Sequence, residues 1–209
     1  MNLDESKSVP TWLDVSRETV LELREFLAFV EKWNGAINLV SRGSLLGGWA
    51  RHVLDSAQLL RLAPLEARFW VDFGSGGGFP GAVVAIVAKE KRSELRMTLL
   101  ESDRRKAAFL DQVRIKFALP VQVVCDRVER VAPLNADVVS ARAFAPLRLL
   151  FESVHRHVNP TGVAILPKGT RANEELLEAR QTWNFEHVKL NSLVAPNASI
   201  LMVRDLVYV

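Results

Sequence analysis

The sequence predicts an α/β fold: seven strands in a mostly parallel sheet, helices on both faces, and helices ahead of the first strand. Three observations predict it. From Arg68 onward, short apolar or β-branched runs alternate with segments of helical periodicity, as right-handed βαβ crossovers require. Residues 70 to 81 read Trp-Val-Asp-Phe-Gly-Ser-Gly-Gly-Gly-Phe-Pro-Gly, an apolar run that ends in a glycine-rich turn and opens a second apolar run. The last two apolar runs have no helix between them, which predicts an antiparallel hairpin at one edge.

Taken in order, Val20, Leu23, Leu27 and Val30 fall at helical spacing with Phe26, Trp33 and Ile37 beside them. Glu22, Arg24, Glu31 and Lys32 take the other side, so a helix is expected from Ser16 to about Ile37. A loop containing Asn38 to Gly43 leads into a helix from Trp49 to Leu62, with Pro64 just past its end. These helices read as a cap, residues 1–64, on a main body, residues 65–209. In the main body, strands are expected at Phe69–Phe73, Met97–Glu101, Val121–Cys125, Asp137–Ala141, Val163–Leu166, Phe185–Leu190 and Ser199–Asp205. The intervening helices fall at Gly81–Lys91, Arg104–Phe117, a short one after Cys125, Pro146–Val158 and Asn173–Thr182.

Composition narrows the classes. With 209 residues, 49% hydrophobic, the chain suits one sizeable globular domain. No stretch approaches the roughly 20 uncharged apolar residues of a membrane span. The first residues lack a basic region followed by an apolar run, so no secretory signal is expected and the chain reads as cytoplasmic. The single Cys125 and four scattered histidines give neither an internal disulfide nor a zinc cluster. The net charge of +3 permits a nucleic-acid partner without requiring one. Arg104, Arg105, Lys106, Arg114 and Lys116 outnumber Asp103 and Asp111 on one helix, which reads equally as a solvated face or an RNA-facing patch.

The glycine turn is the functional centre. Glycines reach positive φ and let a ligand approach the backbone, and the following helix presents free N–H groups to it. Two ligand frames compete. Gly76 to Gly81 fits the dinucleotide pattern G-x-G-x-x-G, whereas Gly74 to Gly78 fits the G-x-G-x-G of S-adenosylmethionine methyltransferases. A dinucleotide needs its first glycine at the strand end, which makes Phe79 the third position, where close helix–strand packing wants no side chain. Asp72 would place a carboxylate by the turn to meet an ammonium and a sulfonium. The methyl-donor frame is preferred, with Asp72, Gly74 and Gly76 as cofactor-binding candidates. Glu101, ending the second strand, suits the ribose hydroxyls. Of Asp126 to Glu129, after the third strand, Val128 and Glu129 are favoured for the adenine edge, and Asp126 could be a helix cap.

Asn38-Leu39-Val40-Ser41, Arg51-His52-Val53-Leu54-Asp55-Ser56, the stretch from Asp72 to Gly81, Ser140-Ala141-Arg142-Ala143-Phe144 and Pro167-Lys168-Gly169 stand in one order over roughly residues 35 to 170. In these motifs the chain resembles the RsmG (GidB) family, bacterial guanine-N7 methyltransferases of 16S ribosomal RNA. The resemblance implies a Rossmann-like class I methyltransferase that takes S-adenosylmethionine as cofactor and 16S ribosomal RNA, in the small ribosomal subunit or its precursor, as partner. It also implies cofactor contacts at Gly74, Phe79, Val128, Glu129 and Arg142. Glu101 stands where many members have aspartate, Pro167 where leucine is usual, and Arg42-Gly43-Ser44 lacks the usual isoleucine.

Guanine N7 carries a lone pair and no proton, so its methylation needs alignment and no general base. The fourth strand ends in Ser140-Ala141-Arg142, without the Asn/Asp-Pro-Pro-aromatic motif of exocyclic-amine methyltransferases. Cys125 lacks the context for covalent attack on cytosine. No acid or base is therefore assigned. Arg142 and Lys168 are expected to position RNA and cofactor, with Arg51, His52 and Lys168 toward the RNA. His52 and Asp55 could alternatively form a helical side-chain pair. Competing readings are a nicotinamide-dependent oxidoreductase and an RNA-binding module of the same fold without turnover. Monomer is the default oligomeric state.

Overall fold

The computed structural model describes residues 9–209. Met1 to Ser8, on which the expectation of no secretory signal rests, lies outside the described residues. Helix α1 (Arg17–Asn34) begins at Ser16, whose side chain accepts the Thr19 N–H at 3.2 Å, the geometry of an N-cap. Its apolar stripe, Leu23, Phe26, Leu27 and Val30, is buried. After the short α2 (Arg42–Leu45) comes a composite helix, here α3: a π-helical turn Trp49–Leu54, α-helical Asp55–Ala57 and 3₁₀ Gln58–Leu62. A single regular helix is expected from the periodicity there. The π turn widens it, and the Asp55 N–H faces the carbonyls of Ala50 and His52 together.

The sheet contains β1 (Phe69–Phe73), β2 (Arg96–Leu100), β3 (Val121–Val124), β4 (Ala136–Ala141), β5 (Val158–Lys168), β6 (Trp183–Asn191) and β7 (Ser199–Tyr208). Their order is β3-β2-β1-β4-β5-β7-β6. The neighbours from β3 to β5 are parallel, and β7 runs antiparallel to both β5 and β6. The expected hairpin is at the edge, but its antiparallel strand lies one place in and β6 takes the margin. Helices α4 (Gly81–Lys91), α5 (Arg104–Lys116), α6 (Leu147–His157) and α7 (Ala172–Ala179) complete the chain, with a 3₁₀ turn at Val128–Arg130.

Alternation along β1 sends Trp70 to one apolar cluster and Val71 and Phe73 to another. The first cluster holds the buried faces of α1, α3, α4 and α5, and α4 is buried from Gly81 through Ala88. A helix apolar all round must be covered on all sides, and here the sheet, α1 and α3 cover it. The second cluster joins the other sheet face to α6 through Leu150, Phe151 and Val154. Strand order reverses between β1 and β4, so the crevice beyond their carboxyl ends is where an open α/β sheet places a ligand. Among the described residues no helix is long and apolar enough to cross a membrane.

Candidate active site

The crevice is a cleft of about 1200 Å³, and the loops after β1 and β4 form facing walls. On the β1 side, Gly74, Gly76 and Gly78 take φ of +61°, +51° and +88°. These left-handed values are the reason the turn is written in glycine. The Gly76 N–H donates to Glu101 Oε2 at 2.9 Å, and the Asp103 N–H donates to Glu101 Oε1 at 2.8 Å. Glu101 is thus held at the end of β2 and lines the cleft.

Asp72 is the main correction on this side. Its side chain is wholly buried beneath the turn and does not line the cleft. Oδ1 accepts the Ser140 hydroxyl at 2.6 Å and Oδ2 accepts the Gly81 N–H at 3.1 Å. Ser140 Oγ in turn accepts the Trp70 indole N–H at 2.8 Å. Asp72 therefore ties β1 and β4 to the start of α4, because strand alternation puts position 72 on the same face as Trp70. Burial pushes its carboxyl up to about 6, against the hydrogen bonds it accepts.

The packing glycine is also not where the sequence reading looks for it. A Cβ on Gly81 would stand 2.4 Å from Leu99 Cδ2 and 2.7 Å from Asp72 Oδ2, so Gly81 permits the close helix–strand approach. Phe79 lies elsewhere, its ring against Phe26 (5.4 Å) and stacked on His52 (4.9 Å). It borders the cleft as a floor beneath the Arg142 guanidinium, 5.4 Å above its centroid. The presence of Phe79 thus does not itself discriminate between the two glycine frames.

Beyond Glu101 lies a smaller pocket of about 260 Å³, bordered by Leu100, Ser102, Asp126, Val128 and Glu129. Val128 is buried, and its carbonyl accepts the Nε2–H of His157 at 2.9 Å. The sequence reading missed His157, which lies 29 positions away on α6 with no local motif around it. Glu129 is exposed, its carboxylate 3.6 Å from Arg127.

The β4 side is built from side chains. Arg142 donates from Nη1 to the Arg51 carbonyl at 3.1 Å and from Nη2 to His52 Nδ1 at 2.7 Å, and it lies 3.8 Å from Asp55. A guanidinium can only donate, so His52 Nδ1 is the acceptor and Nε2 carries the proton, given to Ser44 Oγ at 3.0 Å. Burial, then the charges of Arg142 and Arg51, lower His52 to about 4 and keep it neutral. His52 is only 4% exposed. Although it borders the cleft, its side chain is buried and bonded to Arg142, so the structure places it as support for Arg142 where the sequence reading has it toward the RNA. The expected His52–Asp55 pair is likewise replaced, since both converge on Arg142. Asp55 also accepts from Gln58 Nε2 at 2.8 Å and Ser192 Oγ at 3.2 Å, which joins α3 to the β6–β7 loop. Arg51 is exposed on the rim.

Lys168, at the end of β5, donates to Glu175 Oε2 at 2.8 Å and to the Ala145 carbonyl at 3.2 Å. Glu175 Oε2 also accepts the Leu147 N–H at 3.0 Å. Lys168 borders the cleft while bracing the loop after β4 against α7. Phe144, in that loop, covers Gly74 and was not singled out as a contact from sequence.

The glycine cradle, Glu101 and the Val128 pocket fit a nucleoside-bearing methyl donor, with Asp72 as support beneath. Comparisons with known proteins agree. Residues 20–203 match the family model GidB, described as rRNA small subunit methyltransferase G. A protein of Cereibacter sphaeroides named ribosomal RNA small subunit methyltransferase G is 46% identical over 203 residues, 97% of this chain and 98% of its own. One of the same name from Ruegeria pomeroyi is 44% identical over 191 residues, 91% of this chain and 93% of its own. Among solved structures, a SAM-dependent methyltransferase from Aquifex aeolicus aligns with a TM-score of 0.58, covering 85% of this chain and 97% of that one at 12% identity. That last likeness concerns the fold alone.

Proposed function

Because the chain belongs to the rRNA small subunit methyltransferase G family, we propose that its cleft transfers a methyl group from S-adenosylmethionine to N7 of a guanine in 16S ribosomal RNA. The donor supplies the electrophilic methyl when bound. The Gly74–Gly78 turn receives it, Glu101 takes the ribose hydroxyls, and Val128 walls the adenine. Arg142 and the rim at Arg51 orient the RNA, while Lys168 braces the loop they approach. The partner is the small subunit or its precursor, met by a monomer in the cytoplasm.

One observation carries the N7 reading: Asp55, Glu101, Glu175 and His52, all bordering the cleft, are each held by hydrogen bonds within the protein. Asp55 accepts from Gln58 and Ser192, Glu101 from two backbone N–H groups, and Glu175 from Lys168 and Leu147. Both ring nitrogens of His52 are used by Arg142 and Ser44. Such a site aligns a nucleophile that has a lone pair and no proton to lose. The test supplies labelled S-adenosylmethionine with under-methylated small subunits and maps N7-methylguanine by chemical strand scission. Label at one guanine N7 is expected. Absence of label from the ribosomal RNA would overturn the reading, and label at another atom would overturn the N7 assignment.

A further inference from the structure

The floor of the donor site is covered. A Cβ built on Gly74 would stand 2.6 Å from Phe144 Cδ2 and 3.2 Å from Cε2, so the aromatic ring lies directly on the Gly74 backbone. It fills the space that a glycine at φ +61° leaves open. Of the residues bordering the large cleft and the smaller pocket, Gly74 and Phe144 are the two common to both. Glu101 and Gly76 lie on the cleft side, Leu100 and Val128 on the pocket side. A ligand with its ribose at Glu101 and its base at Val128 must occupy both at once, and the ring stands between them.

We propose that Phe144 is a plug that the methyl donor displaces from Gly74 on binding. The proposal rests on the donor reading of the same cleft. Three features suit the ring to move. It is 39% exposed, and its aromatic neighbour is Phe73 at 6.1 Å, a tilted contact on one side. Ala143 holds φ +52°, a strained left-handed conformation for a residue with a side chain, of the kind found at ligand clamps and switch segments. The flanking positions are fixed, Arg142 by His52 and Arg51 and the Ala145 carbonyl by Lys168, which confines the motion to Ala143 and Phe144. A site open for only a fraction of the time binds with its affinity reduced by that fraction.

The test uses S-adenosylhomocysteine as probe, with stopped-flow association and titration calorimetry on the wild type and Phe144→Ala. The variant is expected to bind faster and more tightly, on the order of fivefold, with Phe144→Leu intermediate. Equal or weaker binding by Phe144→Ala would overturn the plug, because the ring would then be a wall or a ligand contact. Failure of both proteins to bind would overturn the donor reading, and the plug with it. Independently, 4-fluorophenylalanine at position 144 should show a displaced ¹⁹F resonance at saturating probe. An unmoved resonance overturns the proposal even where binding is seen.

Discussion

The two walls of the cleft are made differently. The β1 wall is backbone: three glycines at positive φ, with Glu101 accepting the Gly76 N–H beside them and Asp72 accepting the Gly81 N–H below. Its parts come from residues 72 to 101, and its strain is stored where glycine tolerates it. The β4 wall is side chain, with Arg142 aimed by Arg51, His52 and Asp55 from α3, and Asp55 in turn reached by Ser192. The β1 wall thus depends on local geometry and the β4 wall on contacts across some 90 residues of sequence. The first should fail by misfolding and the second by misalignment.

The largest effect is expected at Gly81. Gly81→Ala drives a methyl into Leu99 and Asp72, and urea unfolding should show a loss of about 3 kcal/mol, with donor binding lost alongside. Stability unchanged by this variant would break the picture of a packed donor wall.

Acid should separate the walls by sign. Asp72, raised to about 6, contributes stability in full below pH 3.8 and loses it as pH rises through 6. His52, lowered to about 4, contributes stability in full above pH 6.5 and loses it as pH falls through 4. Each amounts to about 3 kcal/mol. Urea unfolding from pH 4 to 7 should therefore show Asp72→Asn gaining on the wild type as pH rises, and His52→Gln gaining as pH falls. Differences of the same slope would dissolve the distinction.

Next comes alignment. Arg142→Ala should lower kcat/KM on ribosomal substrate on the order of a hundredfold. Lys168→Ala, which loosens the loop without removing the guanidinium, should lower it about tenfold. Full turnover by both would refute positioning by this wall. The smallest effect is expected at Glu129, exposed and paired only with Arg127. Glu129→Ala should leave the unfolding midpoint in place and shift S-adenosylhomocysteine affinity by no more than about twofold.

The same division governs what the sequence made legible. Strand β1 and helix α4 were read to the residue, because apolar runs and glycine punctuation are local signals. Strand β5 is expected at Val163–Leu166 but spans Val158–Lys168: β4 pairs with Val158 and again from Val163, and the register shifts between them across Asn159-Pro160-Thr161-Gly162, which carries no local strand signal. Asp72 was found but misplaced, because spacing to the glycines says nothing of which sheet face it takes. The bond from Arg142 to His52 is not legible in the sequence, because it spans 90 residues and the π turn that carries His52 leaves no mark in periodicity. His157 escaped notice, its bond to Val128 being purely tertiary. Between the two glycine frames, family membership discriminates where Phe79 did not.

The insertion of β7 between β5 and β6 bears on how the chain comes off the ribosome. While β6 emerges it has no neighbour to pair with, since β5 reaches it only through the later strand. The residues of the β1 wall, and the five parallel strands behind it, have been translated by then. Ser192, which braces Asp55, and Ser199, which pairs beside Lys168, belong to the final stretch. The nascent chain therefore acquires the β1 wall of the cleft before the β4 wall is braced. Premature termination before β7 would leave two unpaired strand margins exposed to aggregation.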